Sequence, residues 1–275
     1  MKVAFQGEPG AYSEAAVFEH YGQDVQTVPC LSFEDVFATV ETGTVDSALV
    51  PIENSLAGTI HRNYDLLLQH TASVVGEHYL HVHHCLIGHP KVEMTDIKQV
   101  ISHPQALAQC EGYLRSLKGV KVEPVYDTAG SVKIVRDQGD RSVAAIASSR
   151  AASLYGMDIL DQNIEDLPTN ITRFLAIARQ PVYPIGDAKT TLVFSAKNIP
   201  GSLFKALSVF ALRDIDLTKI ESRPLVGKTW EYLFYIDFAG SGVEQNVARA
   251  LSHLSEYAIM LRVFGSYPRH HYSEE

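Results

Sequence analysis

Apolar residues along the chain fall into short runs separated by stretches where they recur every three or four positions. Val3-Ala4-Phe5 reads as a strand that stops at the turn-forming Gln6-Gly7-Glu8-Pro9-Gly10. Tyr12, Ala15, Ala16 and Phe18 follow at helical spacing and close at Tyr21-Gly22. Ser32, with Asp35 three residues on, predicts a capping box, and Phe33, Val36, Phe37 and Val40 the apolar face of a helix stopped by Gly43. Ser47-Ala48-Leu49-Val50 is a buried-type strand broken at Pro51, and a helix is expected from about residue 58 to residue 70. After a break across 73–86 the alternation resumes, with strands at 100–102, 143–146 and 171–177 and helices opened by Pro104, Asp127-Thr128 and Ser148. Such alternation implies a mixed or parallel sheet with helices on its faces.

The pattern changes at 180–187, where Pro181, Pro184 and Gly186 mark a linker. Beyond it strands at 191–196, 216–221, 232–238 and 259–265 and helices at 200–212 and 243–254 give the order β-α-β-β-α-β, the ferredoxin-like arrangement. At 275 residues two domains are expected, and 46% hydrophobic against 20% charged residues fits a globular chain.

A net charge of −9 argues against broad nucleic-acid binding and against anionic lipid surfaces, but it leaves room for a small anionic substrate in a locally positive site. Cys30, Cys85 and Cys110 are far apart and odd in number, which fits reduced thiols better than a disulfide framework. The N-terminus has no signal-like apolar region, and no run reaches the ~18 residues of a membrane helix. These features lead to the expectation of a cytoplasmic protein without membrane or nucleic-acid partners.

Four segments end a strand and open a helix with small or hydroxylated residues: Glu8-Pro9-Gly10-Ala11, Glu53-Asn54-Ser55, Asp127-Thr128-Ala129-Gly130-Ser131 and Ala147-Ser148-Ser149. Each fits either a helix cap or part of an anion cradle of N–H and hydroxyl groups. Arg173, inside an apolar strand, is costly to bury unless paired, and fits either a carboxylate-binding fork or a structural ion pair. His78, His81, His83 and His84 crowd together, and strand geometry places His81 and His83 on one face and His84 on the other. A metal site would also need closed geometry and usually a thiolate or carboxylate partner, and the cluster is read as exposed or core histidines, with no metal or cofactor expected.

The motifs Phe5-Gln6-Gly7-Glu8-Pro9-Gly10-Ala11-Tyr12-Ser13, Val50-Pro51-Ile52-Glu53-Asn54-Ser55, Ser102-His103-Pro104-Gln105-Ala106-Leu107-Ala108-Gln109-Cys110, Asp127-Thr128-Ala129-Gly130-Ser131 and Asn170-Ile171-Thr172-Arg173-Phe174 resemble, in this order, those of the prephenate dehydratase family. Pro200-Gly201-Ser202-Leu203 and Glu221-Ser222-Arg223-Pro224 resemble the markers of its ACT regulatory domain. The resemblance implies an α/β fold with a two-lobed, periplasmic-binding-protein-like (type II) catalytic domain over 1–180, with lobe A about 1–75 plus 165–180 and lobe B about 76–164. A ferredoxin-like ACT domain over 188–268 follows.

It implies a carbon–oxygen lyase that converts prephenate to phenylpyruvate, CO2 and water with feedback by L-phenylalanine, in a homodimer or homotetramer. Thr172, Arg173 and Phe174 are its expected catalytic residues: a hydrogen bond to the leaving hydroxyl, a hold on a substrate carboxylate, and a wall beside the ring. Gly10, Ala11, Asn54, Ser55, Thr128 and Ala129 are expected to bind substrate, with Glu53 and His103 as weaker candidates. Asn198, Pro200, Gly201, Ser202, Leu203, Glu221, Ser222, Arg223 and Pro224 are expected around L-phenylalanine. Arogenate as substrate, or a non-catalytic amino-acid sensor sharing the lobes, are the competing readings.

Overall fold

The computed structural model describes residues 1–225, 227–228 and 231–272. In chain order the elements are β1 (Lys2–Gln6), α1 (Tyr12–Tyr21), β2 (Gln26–Cys30), α2 (Phe33–Thr42), β3 (Ser47–Asn54), β4 (Gly58–Thr59), α3 (His61–Gln69), β5 (Ser73–His81), β6 (Cys85–Gly88), β7 (Gln99–Ser102), α4 (Pro104–Gln109), α5 (Glu111–Ser116), β8 (Lys121–Pro124), α6 (Thr128–Gln138), β9 (Val143–Ala147), α7 (Ser149–Tyr155), β10 (Asp158–Gln162) and β11 (Ile171–Ala178). Then come β12 (Ala188–Ala196), α8 (Ser202–Ala211), β13 (Leu217–Pro224), β14 (Tyr232–Ala239), α9 (Gln245–Tyr257) and β15 (Ala258–Pro268).

Two compact units result, one of Met1–His70 with His78–Phe174, the other of Thr71–Glu77 with Leu175–Glu275. The first holds two lobes built on separate sheets. One sheet runs β2-β1-β3-β11-β5, with β1 parallel to both β2 and β3. The other runs β10-β6-β9-β7-β8, with β7 parallel to β8 and β9, and β6 antiparallel to β9 and β10. Central strands are fully buried and read as continuous apolar runs, as in Val143–Ala147.

The capping box at Ser32 and Asp35 forms as the spacing predicts, and Gly43 closes α2 in the left-handed region at φ 74°. The helix expected from residue 58 starts only at His61, because Gly58 and Thr59 instead pair with Asn54 and Glu53. Strands β2, β4, β6, β8 and β10 have no counterpart in the sequence reading. β2, β8 and β10 are edge strands, whereas β6 is a four-residue buried strand inside its sheet. Pro29 sits in β2, and β8 is exposed along its length, so neither shows the apolar alternation that marks a covered strand.

The second unit has the order β12-α8-β13-β14-α9-β15, and its sheet runs β13-β14-β12-β15, wholly antiparallel. Its apolar core joins Leu192 and Phe194 of the sheet to Phe210 of α8 and Leu254 of α9. Every residue of β12 is buried, so its polar members must be paired. Thr191 Oγ1 donates to Asp237 Oδ1 at 2.7 Å, and Lys189 Nζ lies 2.7 Å from Glu77 Oε1. Residues 71–77 and 175–180, assigned from sequence to the catalytic domain, therefore group with this unit. Besides the Glu77–Lys189 pair, the backbone of Val74 packs on Gly265 so closely that a Cβ there would lie 2.1 Å from the Val74 carbonyl oxygen. This grouping by contacts cuts through β5 and β11.

Candidate active site

Within the first unit the loops following β1, β3, β7 and β8 and the start of β11 enclose a cavity of about 310 Å³, within the range of small-molecule sites. Thr172 and Phe174 line it, as do Asn54, Thr128, Tyr12, Ser13, Gln6, His84, His103, Gln105 and Gln109. Tyr12 and Thr128 are the first residues of α1 and α6, so both helices present their N-terminal ends to the cavity. No lysine or arginine lines it among the described residues.

A directed hydrogen-bond relay runs across this wall. Asn54 Oδ1 accepts the backbone N–H groups of Leu56 (3.1 Å) and Ala57 (2.9 Å), which fixes its amide orientation. Its Nδ2 must then donate, and its two protons serve Asn170 Oδ1 (2.9 Å) and Thr172 Oγ1 (3.0 Å), with Ile171 O sharing at the longer distance of 3.2 Å. Asn170, fully buried, is oriented in turn and donates to Gln109 Oε1 at 3.0 Å. Gln109 Oε1 also faces His84 Nε2 at 2.8 Å, so that nitrogen carries the proton. His84 Nδ1 lies 2.8 Å from the Tyr12 hydroxyl, which is also 2.8 Å from His83 O. Because Thr172 Oγ1 accepts from Asn54, its own proton is available to the cavity.

Burial holds His84 below the ordinary imidazole range, against the upward pull of its bond to Gln109 and the charge of Glu165. Burial pushes the Tyr12 hydroxyl well up, with smaller contributions from Cys85, Cys110 and Glu165. Asp127, which caps α6 by accepting from Gly130 N at 2.6 Å, is raised by burial. Glu165 is lowered overall: burial pushes it up, but the bonds from the His84 N–H, its own backbone and His83 outweigh that.

Several residues expected at the site lie elsewhere. Strand alternation puts Arg173 on the face opposite Thr172 and Phe174. Arg173 is buried and its guanidinium lies 6.0 Å from the centre of the Tyr79 ring, away from the cavity lining. The N–H of Gly10 is taken by Glu14 Oε2 (2.8 Å) and that of Ala11 by Glu8 O (3.1 Å), so neither contributes to an anion cradle. Gly10 serves instead as a close-contact point. Its φ is 91°, and a Cβ there would lie 3.0 Å from the Ala151 Cα. Ser55 Oγ bridges Thr169 O and Ile171 N, and Ala129 is fully buried in α6. Glu53 pairs with Thr59 in the β3–β4 hairpin. His103 caps α4, its Nδ1 accepting from Gln105 N, and also lines the cavity. Tyr12, His84, Gln109 and Asn170 are the members that sequence reasoning missed. Three of them sit inside the quoted motifs, and the face parity of the histidine cluster already set His84 apart.

In the second unit, Asn198, Ser202 and Leu203 line a cavity of about 110 Å³ with Tyr232 and Phe234. Pro200 and Gly201 form the turn before α8, with Gly201 left-handed at φ 78°. Glu221, Ser222, Arg223 and Pro224 are not in that lining. They lie on β13, which is separated from β12 by β14, and Ser222 is register partner of Phe234. Among the described residues no group of three or more His, Cys, Asp or Glu is arranged to hold a metal.

A two-lobed, periplasmic-binding-protein-like α/β body with a threonine-bearing polar cleft, joined to a ferredoxin-like regulatory domain, defines a lyase of the aromatic amino acid pathway. The family model for prephenate dehydratase matches residues 3–182 and that for the ACT domain residues 190–255, and the chain belongs to the prephenate dehydratase family. It is 49% identical to "Arogenate dehydratase 2" of Petunia hybrida, over 98% of this chain and 72% of that one. It is equally 49% identical to "Arogenate dehydratase/prephenate dehydratase 1, chloroplastic" of Arabidopsis thaliana, with the same coverage. Among solved structures, a prephenate dehydratase of Arthrobacter aurescens in complex with L-Phe superposes with TM-score 0.90 at 31% identity, over 98% of this chain and 90% of that one. A protein described as a novel type of quorum quenching acylase superposes with TM-score 0.90 at 37% identity, over 98% of both. The chloroplastic relatives overturn the cytoplasmic expectation, which rested on the N-terminal sequence and the reduced cysteines.

Proposed function

We propose that Thr172 expels the ring hydroxyl of prephenate as water while the ring carboxylate leaves as CO2. The balance is prephenate dianion plus one proton to phenylpyruvate monoanion, CO2 and water. The C–O bond breaks toward oxygen, the C–CO2 bond breaks toward the ring, and aromatisation supplies the driving force. A threonine hydroxyl is too weak an acid to transfer its proton alone near neutral pH. Its part is a positioned hydrogen bond to the developing hydroxide. The observation that carries this reading is the Asn54 amide donating to Thr172 Oγ1, which leaves the hydroxyl proton for the cavity. Thr128 and the helix N-termini at Tyr12 and Thr128 hold the anionic substrate, Asn54 orients the Thr172 hydroxyl, and Phe174 flanks the ring. The test is phenylpyruvate formation from prephenate with Thr172→Ala and Thr172→Ser. The serine variant retaining turnover that alanine loses supports the assignment, and alanine retaining wild-type kcat overturns it.

Arogenate is a second reading, favoured by one observation besides the names of the plant relatives. A cavity whose described lining has no lysine or arginine suits a substrate that carries its own ammonium. Comparing kcat/KM for the two substrates decides between them.

The C-terminal domain is proposed to bind L-phenylalanine, a reading supported by its match to the ACT domain model and by the Arthrobacter aurescens neighbour having been solved in complex with L-Phe. At about 110 Å³ the cavity beside Gly201 is too small alone. A second copy bringing its exposed β13 edge, with Glu221, Ser222, Arg223 and Pro224, would complete it, so a homodimer or homotetramer is proposed. L-Phe lowering turnover while shifting the sedimentation behaviour supports this.

A further inference from the structure

We propose that His84 takes up a proton as the dianionic substrate fills the cavity, and that its positive charge replaces the lysine or arginine that the described lining lacks. This rests on the dehydratase reading above. The argument begins with proton counting. Gln109 Oε1 forces a proton onto His84 Nε2, because the Asn54–Asn170 relay leaves that oxygen an acceptor. Tyr12 has a single hydroxyl proton and two acceptors at 2.8 Å, His83 O and His84 Nδ1. While His84 is neutral, Tyr12 can serve only one of them. Once Nδ1 is protonated it donates to the Tyr12 oxygen, Tyr12 turns its proton to His83 O, and every contact is matched. Protonating His84 therefore adds a bond and breaks none.

The other histidine of the cavity wall differs. His103 Nδ1 accepts the N–H of Gln105, so a proton there would set donor against donor. His84 is the imidazole that can be charged without loss. The groups facing it are Tyr12 from α1, Gln109 from α4, Glu165 from the segment after β10, and His83 beside it. Glu165 gives its oxygens to His83 Nδ1 and to the His84 backbone N–H at 2.8 Å each, and its charge favours the imidazolium. Cys85 and Cys110 nearby are held as neutral thiols by burial. Burial disfavours the imidazolium. Two substrate carboxylates reverse that balance. With both nitrogens engaged, His84 acts through its charge rather than as a direct hydrogen-bond partner of the substrate.

The experiment titrates prephenate into the Thr172→Ala protein by calorimetry, in buffers of differing ionisation enthalpy, above neutral pH. The expected result is a heat that tracks the buffer with the sign of uptake and approaches one proton. It is lost in the Thr172→Ala/His84→Gln double variant. A readout that needs no variant is the wild-type KM for prephenate, which rises with pH by up to about tenfold per unit while kcat changes less. Wild-type turnover with no proton uptake and a flat KM overturns the assignment to His84, as does uptake that persists in the double variant. No wild-type turnover of prephenate overturns the dehydratase reading itself, and the proposal with it.

Discussion

Replacing Asn54 by Asp changes one NH2 to an oxygen at a site that is 4% exposed, with almost no change in shape. The native Nδ2 serves Asn170 Oδ1, Ile171 O and Thr172 Oγ1. A carboxylate oxygen there confronts three acceptors. Asn170 can answer by flipping its amide, provided Gln109 and His84 reverse in turn. Thr172 can answer by turning its proton toward residue 54. The Ile171 carbonyl has no such freedom and loses this donor, but it keeps the Ser55 N–H at 2.8 Å, so the cost there is that of one ordinary hydrogen bond, about 0.5–1.5 kcal/mol. The decisive change is at Thr172, whose proton is withdrawn from the cavity. Loss of a donor aimed at developing negative charge costs ~10²–10³ in kcat, or about 3–4 kcal/mol. Steady-state kinetics of Asn54→Asp on prephenate, alongside thermal unfolding, measures both effects. A folded Asn54→Asp protein with kcat within about threefold of wild type, ~0.7 kcal/mol, would refute the reasoning, because the direction of the relay would then be irrelevant to turnover.

Gly10→Ala is expected to lower stability by ~1–3 kcal/mol from its positive φ alone, with more from contact with Ala151, and an unchanged melting temperature would contradict this. Arg173→Met removes a buried guanidinium that does not line the cavity. Stability should fall by ~2 kcal/mol or more with KM nearly unchanged, whereas KM rising about tenfold at constant stability would return Arg173 to the substrate. Glu165 has a folded pKa below its unfolded value of about 4.3, so it adds stability above that pH, and the contribution is lost as pH falls through the folded value. Glu165→Gln should therefore be less stable than wild type near neutral pH, with the gap closing in acid, and a gap independent of pH would count against the assignment.

The elements that sequence patterning located are those whose burial is one-sided or complete. The α2 capping box, the Pro104 start of α4 and the continuous apolar runs of β3 and β9 each carry a local signature that tertiary contacts reinforce. Most of the elements it missed are edge strands, whose residues answer to solvent and to one neighbour only, and β6, though buried inside its sheet, is four residues long and too short to show a period. The same division holds at the site. Thr172 and Phe174 are two residues apart on a strand, so their common face was legible, and that same rule places Arg173 behind them. The fate of the Gly10 and Ala11 N–H groups was not legible, because Glu14 and Glu8 claim them through loop geometry. Nor was the Asn54–Asn170–Gln109–His84 relay, since its members are up to 116 positions apart and only folding orders them.

The Asn54-Ser55 dipeptide also bears on how long the enzyme lasts. An asparagine followed by a small residue ages by attack of the next backbone nitrogen on the side-chain carbonyl, closing a succinimide that hydrolyses to aspartate or isoaspartate. Here Ser55 N is committed to Ile171 O at 2.8 Å, and Asn54 is held in strand β3 with both ends of its amide engaged. The backbone pairing beside the Asn54–Thr172 bond thus withholds the nucleophile that would erase the amide. The fold protects its own chemistry from slow decay for as long as β3 and β11 stay paired at that point.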